Sequence, residues 1–314
     1  MASTKVAFVG AGYMAEEHIK AFADVPEVEL TGVFSRTPAR ARLLAAKYSV
    51  QAVFDSIEAM YAATASDIVI VAVPELAVAE ICASIFDYPW LCLIEKPAGY
   101  NVAEAQRVAQ IAKAKGRRAF VGLNRRHYSS TRAVLADLET VSEPRLVHVF
   151  DQENPLLALS AGQPRVVVDN WMYANSIHII DYFPLFCRGV VESVEHVIKW
   201  TPEEPRFVLT KISFSSGDTG IYEAVWNAPG PWAVTVTTQA KRWEMRPLEH
   251  ASTQIYKSRK SEPMEIHSRD TRFKPGIRLQ ADEVLRAFRG EPSCLPTLED
   301  GLATMELVKR IYET

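Results

Sequence analysis

The chain begins with apolar runs that do not alternate. "KVAFVG" (residues 5–10), "DIVIVAV" (67–73) and "LCLIEK" (91–96) are apolar on both faces, and "VELTGVFS" (28–35) and "RAFVGL" (118–123) continue the series. Strands of this kind are buried on both sides, and amphipathic stretches lie between them. Residues 5 to about 122 therefore predict a doubly wound parallel sheet covered by helices. One helix start is legible after the fourth run. Asn101 stands as a cap with Glu104 three residues on, and Ala105, Val108, Ala109 and Ala112 follow on one stripe.

The pattern changes after about residue 123. "RLVHVFDQ", "VESVEHVIKW", "FVLTKISFSS", "TGIYEAVWNA" and "WAVTVTTQAKRWEM" succeed one another, with turn signals such as "SSGD" and "APGPW". Strand after strand predicts an antiparallel sheet. Helices are expected near 129–139 and 171–187, and again near 278–289 and 298–312. The pattern predicts an α/β Rossmann domain over 1–123. An α+β domain with a large open, mainly antiparallel sheet follows over 124–314. No repeat or low-complexity segment interrupts it.

Composition changes this picture little. With 314 residues, 48% hydrophobic, 23% charged and a net charge of −3, nothing calls for nucleic acid or membrane as a partner. Cys82, Cys92, Cys187 and Cys294 show no metal-ligand spacing, so reduced core thiols and no metal are expected. "MASTKVAFVG" passes straight into a strand without a long apolar segment, and a cytoplasmic location is the expectation.

The chemistry starts at "Gly10-Ala11-Gly12-Tyr13-Met14-Ala15", a G-x-G-x-x-A between a strand and a helix. Gly10 makes the tight turn, Gly12 lets the backbone approach a pyrophosphate, and Ala15 permits close helix–strand packing at a helix N-terminus. A dinucleotide site including Tyr13 and Met14 is expected. Where an acid would hold a ribose 2′-hydroxyl, the second strand ends in Ser35-Arg36-Thr37, with Arg40 one turn on. A hydroxyl and two guanidinium groups suit a 2′-phosphate, so NADP(H) is expected ahead of NAD(H). The run "LCLIEK" ends in Glu95-Lys96-Pro97. A lysine at a strand end opens onto the ligand crevice of such a sheet, where it can donate to a substrate oxygen.

Together, GxGxxA on the first strand, "EKP" at the end of the run "LCLIEK", "GLNRRHYS" at the domain junction and His178-Ile179-Ile180-Asp181 resemble the glucose–fructose oxidoreductase/inositol dehydrogenase (Gfo/Idh/MocA) family. The resemblance implies NAD(P)-dependent oxidation or reduction of a carbinol or ketone, on a sugar, cyclitol or sugar derivative. It implies Lys96 and His178 as the catalytic pair, and Glu95 and Lys96 beside the nicotinamide. It also implies homodimers or homotetramers assembled through the open sheet; Trp226, Trp232 and Trp243 are either aromatic surface there or plain core residues.

The chain departs from the family at two places. The family's Asp four residues before the histidine is Ala174 here, and Ser176 stands at a glycine position. On a regular helix Trp171, Ala174, Asn175, His178, Asp181 and Tyr182 share one face, so Asn175 or Asp181 is expected to orient the imidazole, with Tyr173 a rival proton donor. In "VAVPELAV", Val73 and Pro74 are expected at the cofactor. The Asn and His common in that loop are Glu75 and Val78 here.

Asn124 and Arg126 at the junction, with Trp171, Asn175 and His178, are the expected substrate contacts; Arg125 is expected in solvent. Residues 241–278 hold ten Lys/Arg against five acids, a solvated face or a site for an anionic substrate such as a sugar acid or nucleotide-linked sugar. Two other readings stay open: a non-catalytic dinucleotide sensor, and a reductase of an imine or enone.

Overall fold

The computed structural model describes residues 3–313. Six strands, β1 (Thr4–Val9), β2 (Val28–Phe34), β3 (Val53–Phe54), β4 (Ile68–Val71), β5 (Leu91–Glu95) and β6 (Ala119–Gly122), form a parallel sheet in the order β3-β2-β1-β4-β5-β6. All four residues of β4 and all five of β5 are buried, as strands covered by helices on both faces must be. The order reverses beside β1, which pairs with both β2 and β4; ligands bind at such a switch point. The helix Val102–Ala114 starts as expected, with the Glu104 amide donating to Asn101 Oδ1 at 2.9 Å.

Two compact units divide the chain, and the first takes in Thr271–Leu302 as well as the described residues up to Asn124. The return is held by burial. Ile277, Ala281, Val284 and Leu285 of the helix Ile277–Phe288 join one apolar cluster with Ile19 and Phe22 of the helix Tyr13–Ala23. Arg278, buried on the same helix, donates to Asp24 at 2.9 Å and to Asp282 at 2.5 Å, so its charge is not left unpaired.

The second unit is built on eight strands: β7 (Leu146–Glu153), β8 (Val191–Ile198), β9 (Phe207–Phe214), β10 (Thr219–Trp226), β11 (Ala233–Thr237), β12 (Lys241–Met245), β13 (Ser252–Ile255) and β14 (Glu262–Pro263), ordered β14-β13-β12-β11-β7-β10-β9-β8. Every pairing is antiparallel except β7 with β10, which is parallel. Burial alternates along β7, β9 and β10, giving one covered and one half-exposed face. Trp226 and Trp243 are buried core residues, so neither adds to the exposed surface. Among the described residues, no helix is long and apolar enough to cross a membrane.

Candidate active site

In the first unit, the parallel register sets Val9, Val71 and Ile94 side by side, so Gly10, Ala72 and Glu95 follow at one edge of the sheet. Gly10 has φ +117°, and a Cβ there would sit 2.0 Å from Ala72 O; no other residue fits that turn. Gly12, at the N-terminus of the helix Tyr13–Ala23, would direct a Cβ into open space. The two glycines thus fit the pyrophosphate of a dinucleotide, one shaping the turn and the other leaving room above the helix's free amides.

Ala15 is buried behind the turn, Met14 packs against the core, and Tyr13 is exposed beneath Lys274 at 5.2 Å from its ring centre. Gly10 N donates to Phe34 O at 2.8 Å, which brings the end of β2 alongside. There Ser35 is half-buried and accepts from Thr37 N, while Arg36 and Arg40 are exposed. Val73 and Pro74 follow Ala72 at the same edge.

Glu95 closes β5 and is buried. Its Oε1 lies 2.6 Å from Nε2 of His18, itself only 1% exposed on the helix Tyr13–Ala23. Gly122 leaves this carboxylate its room, since a Cβ there would come 3.1 Å from Oε1. The pair anchors the strand end that carries half-buried Lys96, whose peptide bond to Pro97 is cis. His18 escapes a reading of the sequence for motifs, although it lies on the buried stripe Ala15–His18–Ile19–Phe22. Asn124 is buried, and its amide donates to Pro275 O at 3.1 Å.

In the second unit the helical stretch before His178 is not regular. Met172–Ser176 is a π turn, followed by helical segments Ile177–Ile180 and Tyr182–Phe186. The wider turn carries positions 171, 175 and 176 over the end of β7 together. Trp171 Nε1 (2.6 Å) and Asn175 Nδ2 (2.8 Å) donate to Oε2 of Glu153, and Ser176 Oγ lies 3.1 Å from its Oε1. Ala174 is buried where the family's Asp would stand. A carboxyl group reaches this turn from the strand below.

Glu153 and Asp151 are two apart on β7 and share its covered face, both buried. Burial drives the Glu153 carboxyl well above the usual carboxylate range, the neighbouring Asp151 pushes the same way, and the Asn175 and Trp171 donors oppose. Burial also raises Asp151, against the 2.6 Å hydrogen bond from the Tyr222 hydroxyl. Asp151 Oδ1 accepts from no other N–H or O–H donor among the described residues. One proton held between the two carboxyls would fill that place and relieve their repulsion. The sequence does carry a signal for this pair: Val147, Val149, Asp151 and Glu153 alternate on one strand face, an apolar row that ends in two acids.

Asp181 accepts both Arg126 Nε and Nη2 at 2.6 Å and Thr304 Oγ1 at 2.8 Å, so each of its oxygens is engaged. Tyr173 and His178 are buried, and the His178 ring lies 6.4 Å, centre to centre, from Trp232. Trp232 is fixed by its Nε1 donating to Gln152 O at 2.9 Å. With Trp171, Asn175, Gln152, Asn154, Leu157, Ala158 and Ala161 it lines a cavity of about 380 Å³. That volume lies within the usual range for a small-molecule site. Its walls are indoles and side-chain amides, suited to the apolar faces and hydroxyls of a polyol.

Residues 4–123 match the model of the oxidoreductase family with an NAD-binding Rossmann fold. Within the first unit, this stretch is thus similar to the NAD-binding domain of the Gfo/Idh/MocA oxidoreductases. Over 112 residues this chain is 29% identical to scyllo-inositol 2-dehydrogenase (NADP(+)) of Bacillus subtilis, covering 36% of this chain and 34% of that protein. It is 23% identical over 194 residues to 4-carboxy-2-hydroxymuconate-6-semialdehyde dehydrogenase of a Sphingobium species, covering 60% and 61%. The chain thus matches less than two thirds of the length of either relative. UDP-N-acetylglucosamine 3-dehydrogenase of Acidithiobacillus ferrooxidans superposes with a TM-score of 0.79 at 17% identity, over 100% of this chain and 98% of that one. The two-sheet fold is therefore shared along the whole chain.

Proposed function

We propose that the protein is a nicotinamide-dinucleotide-dependent oxidoreductase acting on a carbinol or ketone carbon of a sugar, cyclitol or related hydroxylated compound. The observation that carries this reading is the shared edge of β1, β4 and β5. The glycine turn and Lys96 emerge there two strand spacings apart, roughly 10 Å. Gly10, Gly12 and Ala15 would hold the pyrophosphate, with Tyr13, Met14, Val73 and Pro74 around it. The dinucleotide, when bound, supplies or accepts the hydride.

Lys96 donates to the substrate oxygen and stabilises negative charge on it, while the His18–Glu95 pair holds its strand end in place. His178 exchanges the hydroxyl proton; the family resemblance supports pairing it with Lys96, and its place beside the Trp232 cavity supports contact with substrate. Asn175 and Trp171, held by Glu153, position that substrate. Ser35, Arg36 and Arg40, with no acid at the end of β2, support a preference for NADP(H).

The half-exposed face of the eight-stranded sheet, with Leu146, Val197 and Phe207 exposed, supports a homodimer or homotetramer joined through it.

The test is a screen of polyols, sugars and hydroxy acids for cofactor reduction by wild type, Lys96→Ala and His178→Asn. Turnover that collapses in both variants, with dinucleotide affinity retained, upholds the assignment. A His178→Asn rate within a few-fold of wild type removes the histidine from the chemistry and brings Tyr173 forward. Dinucleotide binding without turnover of any compound would favour a sensor.

A further inference from the structure

The two arginines at the start of the second unit are treated unequally. Arg126 is consumed by its two-pronged pair with Asp181. The Arg125 side chain makes neither hydrogen bond nor ion pair among the described residues, and its Nε is buried with no partner. The guanidinium lies against an aromatic face, 4.2 Å from the ring centre of Trp232. Trp232 is the same indole that walls the cavity and stands beside His178.

No carboxylate among the described residues pairs directly with this guanidinium. The polar lining of the cavity is made of neutral amides, Gln152, Asn154 and Asn175, with no carboxylate among them. Asp151 feels the charge of Arg125, but it accepts its hydrogen bond from Tyr222 and forms no ion pair with the guanidinium. A half-buried guanidinium stacked on an indole, with its donor edge unused, is pre-set for two-pronged recognition of a planar anion. The indole and amides beside it suit a hydroxylated body.

We propose that Arg125 on Trp232 is the carboxylate-selecting end of the substrate site, so that the substrate is a polyhydroxylated carboxylic acid rather than a neutral sugar or cyclitol. This deepens the oxidoreductase reading and rests on it for the identity of the ligand as substrate. The basic run 241–278 is not needed for it: there Lys241 pairs with Asp137, and Arg278 with Asp24 and Asp282.

The experiment is calorimetric titration of the intact protein with three matched pairs: D-gluconate and D-glucitol, D-galacturonate and D-galactose, L-tartrate and L-threitol. At least one acid is expected to bind about tenfold more tightly than its neutral partner, the worth of one charge-assisted pair. In Arg125→Gln the ratio should fall to near one while the neutral partner binds as before. Arg125→Lys, which keeps the charge but not the planar fork, should retain part of the preference, and it serves if the Gln variant does not fold. No preference in any pair, or a preference that survives Arg125→Gln, overturns the proposal. So does tighter binding of D-glucose 6-phosphate than of every acid. NADPH titrated in parallel reads the oxidoreductase assignment separately: its failure to bind would sink that reading while leaving the acid preference measurable.

Discussion

Replacing Glu153 with Gln separates a carboxyl pair that shares a proton from one that is fully ionised. If Glu153 holds the proton, the amide is its near-isostere. The Gln oxygen accepts from Trp171 and Asn175, and its N–H donates to Asp151 Oδ1, which has no other donor among the described residues. If Glu153 were ionised, the exchange would weaken charge-assisted bonds worth about 1.5–3 kcal/mol each. The pH dependence then gives a second reading. The folded-state pKa of Glu153 lies well above 4.5. Its contribution to stability is therefore full below about 4.5, falls by about 1.4 kcal/mol per pH unit as pH rises towards the folded value, and is gone above it. Gln cannot titrate. As pH rises from about 5, the urea midpoint of wild type should fall relative to that of Glu153→Gln. Parallel profiles for the two proteins, or a loss above about 2 kcal/mol in the variant near pH 5, would refute the shared proton.

Other perturbations read other parts of the structure. Gly12→Val adds a side chain where nothing lies within 4 Å. Thermal melting should hold while NADPH titration shows affinity reduced by about tenfold or more. His18→Leu strips a buried carboxylate of its partner and should cost about 3–5 kcal/mol by urea denaturation, with Glu95→Gln in the same chain recovering part of it. At Asp218, burial opposes ionisation, but Arg188 and the backbone amides of Arg188 and Arg145 outweigh it and bring the carboxyl to about 2. From 3.8 unfolded to about 2 folded, it contributes about 2 kcal/mol above pH ~4, lost as pH falls through about 2. Asp218→Asn should flatten the acid limb of the stability curve.

The first unit is more legible in the sequence than the second, because burial on both faces leaves an unbroken apolar run. β4 and β5 are plain for that reason, and so is the cap at Asn101. β3 is not, being only two residues long. "WAVTVTTQAKRWEM" reads as one strand and is a hairpin, β11 and β12, turned where Thr238 N donates to Lys241 O. The parallel pairing of β7 with β10 leaves no mark in either segment, and neither does the return of 271–302 to the first unit.

At the site, Gly10, Gly12 and Lys96 are legible because each answers to a backbone constraint or a strand end. The π turn is not, since nothing in "NWMYANSIHIID" announces an extra residue in the turn. That turn hands Asn175 to Glu153. Arg125 and Arg126 are adjacent and alike, and only the position of Asp181 tells them apart.

The most direct test of the dinucleotide site is fluorescence titration of the intact chain with NADPH and NADH in parallel, its six tryptophans serving as energy donors. Saturable binding of NADPH is expected, with weaker binding of NADH, and loss of both in Gly12→Val with the fold intact. Binding of neither by wild type would contradict the assignment.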